Sequence, residues 1–197
     1  MEEKRDTLAR LHDEEIHRLE AERRLETMRL EALKNQINPH FLFNTLNVIG
    51  GMAMLENAET TSKMIKALSS LFRYNLQSSD TETSLMRELK IVRDYMYIQQ
   101  MRFGDRISYE IVCEVDEEAT KVPTLTFQPL VENAVIHGLS KKEAGGTIYI
   151  LIWEENENLL IQVRDSGVGM EPEILESVKT ELEEEYSHSN IGIGNVY

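Results

Sequence analysis

The chain has 197 residues, 28% charged and 41% hydrophobic, a size and balance suited to one or two small globular domains. Its formal net charge of -14 argues against nucleic acid as a partner, because phosphate binding calls for clustered Lys and Arg. The single cysteine, Cys113, excludes an intrachain disulfide and a four-thiolate zinc site, and beside Ile111, Val112 and Val115 it reads as a buried strand residue.

No stretch approaches the roughly 20 apolar residues that span a bilayer. With no signal peptide either, the expected location is the cytosol. Residues 1 to about 56 read as one long helix, with Leu8, Leu11, Ile16, Leu19, Leu30, Leu33 and Ile37 at helical spacing. The spacing slips between groups and the intervening residues are Arg and Glu, as on a partly exposed signalling helix that pairs with a second copy. Gly50 and Gly51 weaken its end, and residues 57–61 supply turn and capping chemistry.

A second helix follows, with Met64, Ile65, Leu68, Leu71, Phe72 and Leu76 on one face. Residues 77–83 are polar and read as a loop. A third helix, from about Ser84 to Arg102, has Leu85, Leu89, Val92 and Met96 on its apolar side. After Gly104 the texture changes. Ile107 to Val115 is a predicted strand, and Pro123 precedes a helix running to His137. Thr147 to Trp153 and Leu159 to Arg164 are two strands joined by the turn at residues 155–158. Pro172 suits the first turn of a helix extending to about Glu185, whose run Glu181, Glu183, Glu184 and Glu185 reads as a solvated face. Helices first and a mixed α/β unit afterwards predict two domains, 1–104 and 105–197.

Four segments carry chemistry. In residues 38–44, Pro39 stands inside the expected helix, where proline removes a hydrogen bond at roughly 3 kcal/mol and would kink the turn carrying His40. Gln36, His40, Asn44 and Asn47 form one polar stripe, so the imidazole stays wet and its unprotonated ring nitrogen is free to attack phosphorus. Asn44, one turn on, is placed to orient that ring; a lone helical histidine is otherwise a surface or capping residue. Residues 128–138 put Glu132, Asn133 and His137 into an apolar helix, with Asn133 and His137 on one face. Buried polar groups need partners, and Mg²⁺ with phosphate oxygens would supply them.

Asp165-Ser166-Gly167-Val168-Gly169 follows a strand directly, so its carboxylate can accept from an exocyclic amine such as adenine's while the glycines admit a flat ligand. Alone, this pattern is a weak signal and more often just a tight turn. Residues 190–196 add Gly192, Gly194 and Asn195, permitting close approach to phosphates ahead of a new helix. No Gly-Lys-Ser/Thr occurs, which excludes a P-loop.

With these residues in view, the chain resembles the LytS/YesM-like sensor histidine kinases, whose ATP-binding domain shares its fold with Hsp90, gyrase B and MutL. Residues 33–44 look like that family's phosphoacceptor box, and Val122-Pro123 with 128–138 like its N-box. Residues 165–169 and 192–196 look like its two glycine boxes, and Tyr95, Arg102 and Phe103 fall where the family has a tyrosine and an Arg-Phe pair. The resemblance implies a helical dimerisation and phosphoacceptor region followed by an α/β-sandwich ATP-binding domain of the Bergerat type, incomplete at its C-terminal end. It implies ATP-dependent phosphorylation of His40, then transfer to an aspartate of a response regulator.

The same resemblance places Mg²⁺ on Asn133 and the adenine amine on Asp165. His137, Gly167, Gly169, Gly192 and Asn195 would complete the nucleotide site. Glu132 stands where related ATPases have a base, and in a kinase it would instead assist the attacking histidine. A homodimer through the helices around His40 is implied, as are a sensor and membrane region ahead of residues 1–30. Asn190 departs from the second glycine box, where glycine is usual, though asparagine tolerates left-handed backbone. Two other readings stay open: an ATPase or protein-serine kinase on the same fold, which has no use for Pro39-His40, and a scaffold that dimerises without chemistry.

Overall fold

The computed structural model describes residues 38–77 and 81–178, with the isolated helical positions Arg18, Ala21 and Arg23. The chain divides into two compact units, Met1–Val48 and Ile49–Tyr197. Within the second unit, buried residues before and after residue 104 share one core.

Helix α1 spans Pro39–Leu55. Asn38 is not helical; its side-chain oxygen accepts from the Phe41 amide at 3.1 Å and its carbonyl from Leu42 at 3.1 Å. It is therefore the N-cap, and Pro39 is the first helical residue, where a missing N–H costs nothing. The expected mid-helix kink is corrected: a residue before proline is pushed out of the α region, so the helix begins here instead of running through. Phe41, Val48, Ile49, Met52, Met54 and Leu55 are all exposed on α1. Asn57, at φ 59, makes the left-handed turn into α2, Glu59–Gln77.

Strand β1, Glu82–Ser84, leads through Ser84 at the N-cap into α3, Leu85–Phe103. The expected apolar side of α3 is the buried one, with Leu85, Leu89, Val92 and Met96 at 0% exposure. Period-3.6 patterning places these side chains on one stripe, and that stripe packs against α2, β2 and α4.

Two small sheets complete the fold. Strand β3, Lys121–Pro123, pairs antiparallel with β1. In the other sheet the order is β2-β4-β5: β2, Ile107–Cys113, runs parallel to β4, Gly146–Glu155, and β5, Asn158–Asp165, is antiparallel to β4. The central β4 buries Ile148, Ile150 and Ile152 at alternate positions on the core side. Its two-residue turn into β5, Asn156 and Glu157, has positive φ at both residues, the primed geometry whose twist matches the flanking strands. Helix α4 begins at Phe127–Asn133 and continues as a π-helix over Ala134–Leu139. Residues 172–178 form α5 as far as it is described, with Pro172 at its first position as expected; the rest of the helix expected to about Glu185 lies outside the described residues. Cys113 is half-buried, not buried, and its thiol faces the Val115 carbonyl at 3.4 Å.

Glu88 holds several of these elements together. It is 1% exposed on the apolar stripe of α3, and its carboxylate accepts from the Tyr74 hydroxyl of α2. It also accepts from the Leu125 amide at 2.8 Å and the Phe127 amide at 3.1 Å. Leu125 sits at φ 64, strained for a leucine, and the bond to Glu88 fixes that turn just before α4. Burial, followed by the neighbouring Glu88 carboxylate, pushes the Tyr74 hydroxyl pKa well up, so Tyr74 stays a donor. Replacing Glu88 with Ala strands the buried Phe127 amide, the part-buried Leu125 amide and a phenol; a loss of about 2–5 kcal/mol is expected in urea denaturation, with Tyr74→Phe costing less.

Candidate functional site

Residues on α4 and at the end of β5 form the site. In α4, Phe127, Gln128, Val131, Ala134, Val135, Gly138 and Leu139 face the core. Glu132 is half-buried and accepts from the Gln128 amide nitrogen at 2.7 Å. Asn133 and His137 are exposed, which corrects the expectation that burial forces them to find a partner. Their amide and imidazole point outward from the same side of the helix and are open to a ligand. The wider π turn begins one residue after Asn133, and such turns often lie at functional sites.

Asp165 closes the other wall. It ends β5, is half-buried, and through Oδ1 accepts from the Gly167 amide at 2.8 Å. Its Oδ2 has no hydrogen-bond partner among the described residues and is left for a ligand. The backbone presses close here. A Cβ on Gly138 would lie 2.4 Å from Asp165 Oδ1, and one on Gly167 would lie 2.5 Å from both that oxygen and the Gly138 backbone. Only glycine fits at either position, so the carboxylate, the π segment and the loop interlock. The loop is also pinned by the Val168 amide on the Gly138 carbonyl at 3.3 Å and by Ser166, which exchanges hydrogen bonds with Thr147. Gly169 follows at φ 73, a conformation glycine adopts without strain.

The structure thus brings Glu132, Asn133, His137, Asp165 and Gly167 onto adjoining segments, with Gly169 in the loop beyond. Gly192 and Asn195 lie outside the described residues, as do Asn190 and residues 181–185. Among the described residues no group of three or more His, Cys, Asp or Glu could hold a metal ion. A cation there would take most of its ligands from phosphate and water with one or two from protein, a donor set that suits Mg²⁺ and the exposed Asn133 amide.

His40 is exposed in the first turn of α1, and Asn44 Nδ2 lies 3.3 Å from both ring nitrogens. A single amide therefore reaches either nitrogen and restrains the ring without enclosing it. Two contributors were missed from sequence. Glu88 carried a readable signal, a carboxylate three residues after Leu85 and one before Leu89 on an apolar stripe; Gly138 did not, because only the approach of β5 explains it.

Two family models match. One, described as histidine kinase, covers residues 28–107; the other, described as histidine kinase-, DNA gyrase B-, and HSP90-like ATPase, covers 121–195. The chain is 39% identical over 170 residues to the sensor histidine kinase YpdA of Escherichia coli, covering 85% of this chain and 29% of that protein. It is 36% identical over 148 residues to the sensor histidine kinase YesM of Bacillus subtilis, covering 75% and 26%. It is 30% identical over 184 residues to the sensor protein kinase HptS of Staphylococcus aureus, covering 92% and 35%. The chain therefore spans between about a quarter and about a third of these relatives.

Gly138→Ala is expected to cost about 1–3 kcal/mol in urea denaturation and to shift the Asp165 and Gly167 amide resonances, since β5 and the loop must move apart. A pH effect is expected at Tyr95, a buried neighbour of Glu132. Burial, then the Glu132 carboxylate, pushes its hydroxyl up to about 12 from 10.0, while Arg102 opposes the shift. Folding favours the protonated phenol, so this stabilisation is intact below pH 10 and lost as pH rises through 12. Urea denaturation in that alkaline window should show a shallower decline for Tyr95→Phe than for the natural chain.

Proposed function

The chain belongs to the sensor histidine kinase family, and from that premise we propose that it moves the γ-phosphoryl group of ATP onto His40, then onward to an aspartate of a response regulator. The observation that carries this reading is the interlock of Asp165 with Gly138 and Gly167 beside the exposed Asn133 and His137. A carboxylate with one oxygen held by a backbone amide and the other open can read the adenine amine. The glycines at 138 and 167 let helix, loop and carboxylate pack against one another, which holds Asp165 in place for that contact.

Phosphoryl transfer asks mainly for position and charge neutralisation. Asn133 would hold Mg²⁺ through its amide oxygen, and the ion supplies neutralisation of the phosphate oxygens. His137, one π turn on, donates to the same phosphates. The unprotonated nitrogen of the His40 ring attacks phosphorus and forms an N–P bond. The bond from phosphorus to the bridging oxygen breaks, and ADP leaves with the electron pair. The proton on the other ring nitrogen is then lost, and Glu132 is the carboxylate assigned to assist that loss. Asn44 keeps the ring from rotating between encounters, which lowers the entropy lost at attack.

The wider reading follows the family. Residues 1–104 serve signalling, dimerisation and phosphoacceptance, and residues 105–197 bind ATP. The apolar side chains exposed on α1, Phe41 and Met52 among them, suit a second copy of this helix, since water-exposed patches of this kind mark association surfaces. The relatives are sensor histidine kinases, and the proposed setting is the cytoplasmic part of a membrane-anchored sensor; among the described residues no helix is long and apolar enough to cross a membrane.

Incubation with γ-labelled ATP tests the assignment. The natural chain should take up an acid-labile, base-stable label, and His40→Gln should take up less than about a hundredth of it. Labelling of His40→Gln at the natural rate, or an acid-stable label, would overturn the assignment; the second outcome is the one a serine kinase gives.

A further inference from the structure

A cavity of about 400 Å³ lies between the C-terminal turns of α3 and the outer side of α4. Tyr95, Gln99 and Arg102 line it from α3, and Glu132, Ile136 and Ser140 from α4. Two of its polar groups are used within the fold, Glu132 accepting from Gln128 at 2.7 Å and Ser140 donating to the Ile136 carbonyl at 2.7 Å; three others are not. The Arg102 guanidinium lies over the Phe103 ring, 4.8 Å from its centre, and no carboxylate among the described residues pairs with it. The Gln99 amide oxygen is buried without a partner. The Tyr95 hydroxyl, on a residue only 9% exposed, makes no hydrogen bond within the described chain. Three polar groups converging on one space without partners indicate that the space is built for a polar ligand.

The position of the cavity along α4 says which ligand. Glu132 lies in its wall and Asn133 is the next residue, while Gly138 meets Asp165 at the far end of the same helix. Six residues separate Glu132 from Gly138, most of them in the π segment, so the cavity and the Asp165 end lie along one helix. A nucleotide with its base against Asp165 and its phosphates along α4 would bring its distal end to this cavity. A fixed cation and a hydroxyl kept protonated by burial are donors for phosphoryl oxygens, and guanidinium suits such oxygens in particular. The wall also holds the Glu132 carboxylate, which accepts from Gln128, and Arg102 is its one positive group among the lining residues.

We propose that this cavity seats the terminal phosphoryl group of ATP, with Arg102 and Tyr95 as its hydrogen-bond donors. The proposal rests on the reading of the Asp165 end as a nucleotide site and adds residues that lie outside both glycine boxes. Arg102 then distinguishes ATP from ADP, and it helps neutralise charge on the phosphoryl group that His40 receives.

Calorimetric titration with Mg²⁺–ADP and with the Mg²⁺ complex of the β,γ-imido analogue of ATP tests it. Arg102 is exposed, so Arg102→Gln should fold normally. Its affinity for the imido analogue should fall about ten-fold while its affinity for ADP stays within about two-fold, with partial recovery in Arg102→Lys. Tyr95→Phe should give the same selective loss at about three-fold. An equal change for both nucleotides, or none for either, overturns the proposal, because a merely structural role cannot separate them. Failure of the natural chain to bind ADP at all would sink the nucleotide reading itself, and this inference with it.

Discussion

The start of α4 depends on one buried carboxylate. Glu88 lies where α2, α3 and the turn before α4 meet, and it joins them with a phenol and two backbone amides. A lone buried charge would be costly, yet this one receives three donors, two of them backbone amides at a helix N-terminus. The helix that it caps bears Glu132, Asn133 and His137. Because Leu125 is held in left-handed backbone by the same oxygen, the rotation of α4 about its axis is set from its first residue.

From that anchored start, α4 serves two faces. Its inner face fills the core against the isoleucines of β4, and its outer side presents polar groups. The change from α to π geometry after Asn133 spreads the turn that leads to Gly138. There the helix approaches β5 so closely that no side chain can stand between them. A rigid wall with open donors and acceptors is what a nucleotide site requires, because ordering cost is then met in folding and not in binding. Tyr95 and Arg102 reach the same helix from α3, so the core helix and the proposed phosphate end are parts of one packed unit.

Local rules read correctly wherever the residue's neighbours in sequence decide its state. Leu85, Leu89, Val92 and Met96 are buried as their spacing requires, and Pro172 opens a helix. Pro39 shows the rule applied in the wrong place. The cost of a mid-helix proline was read as a kink, whereas the chain avoids the cost by starting the helix there, with Asn38 as its cap. Asn133 and His137 illustrate a second limit: apolar neighbours along the chain suggested burial, but a helix buries one side only, and these two lie on the other.

The order of the helices and of β2, β4 and β5, the helical stripe bearing His40 and Asn44, and the polar residues of α4 were determined by the sequence, because each follows from periodicity or from residue type at short range; the short strands β1 and β3 were not, since residues 77–83 read as a loop and three residues carry no period. The tertiary structure alone decided that β2 runs parallel to β4, that β1 pairs with β3, and that Gly138 must be bare for Asp165 to approach. It alone decided that Glu88 joins Tyr74 to the start of α4. These facts involve residues separated by tens of positions in the chain. No local preference encodes such a meeting; it is fixed only when apolar burial folds the segments onto a shared core.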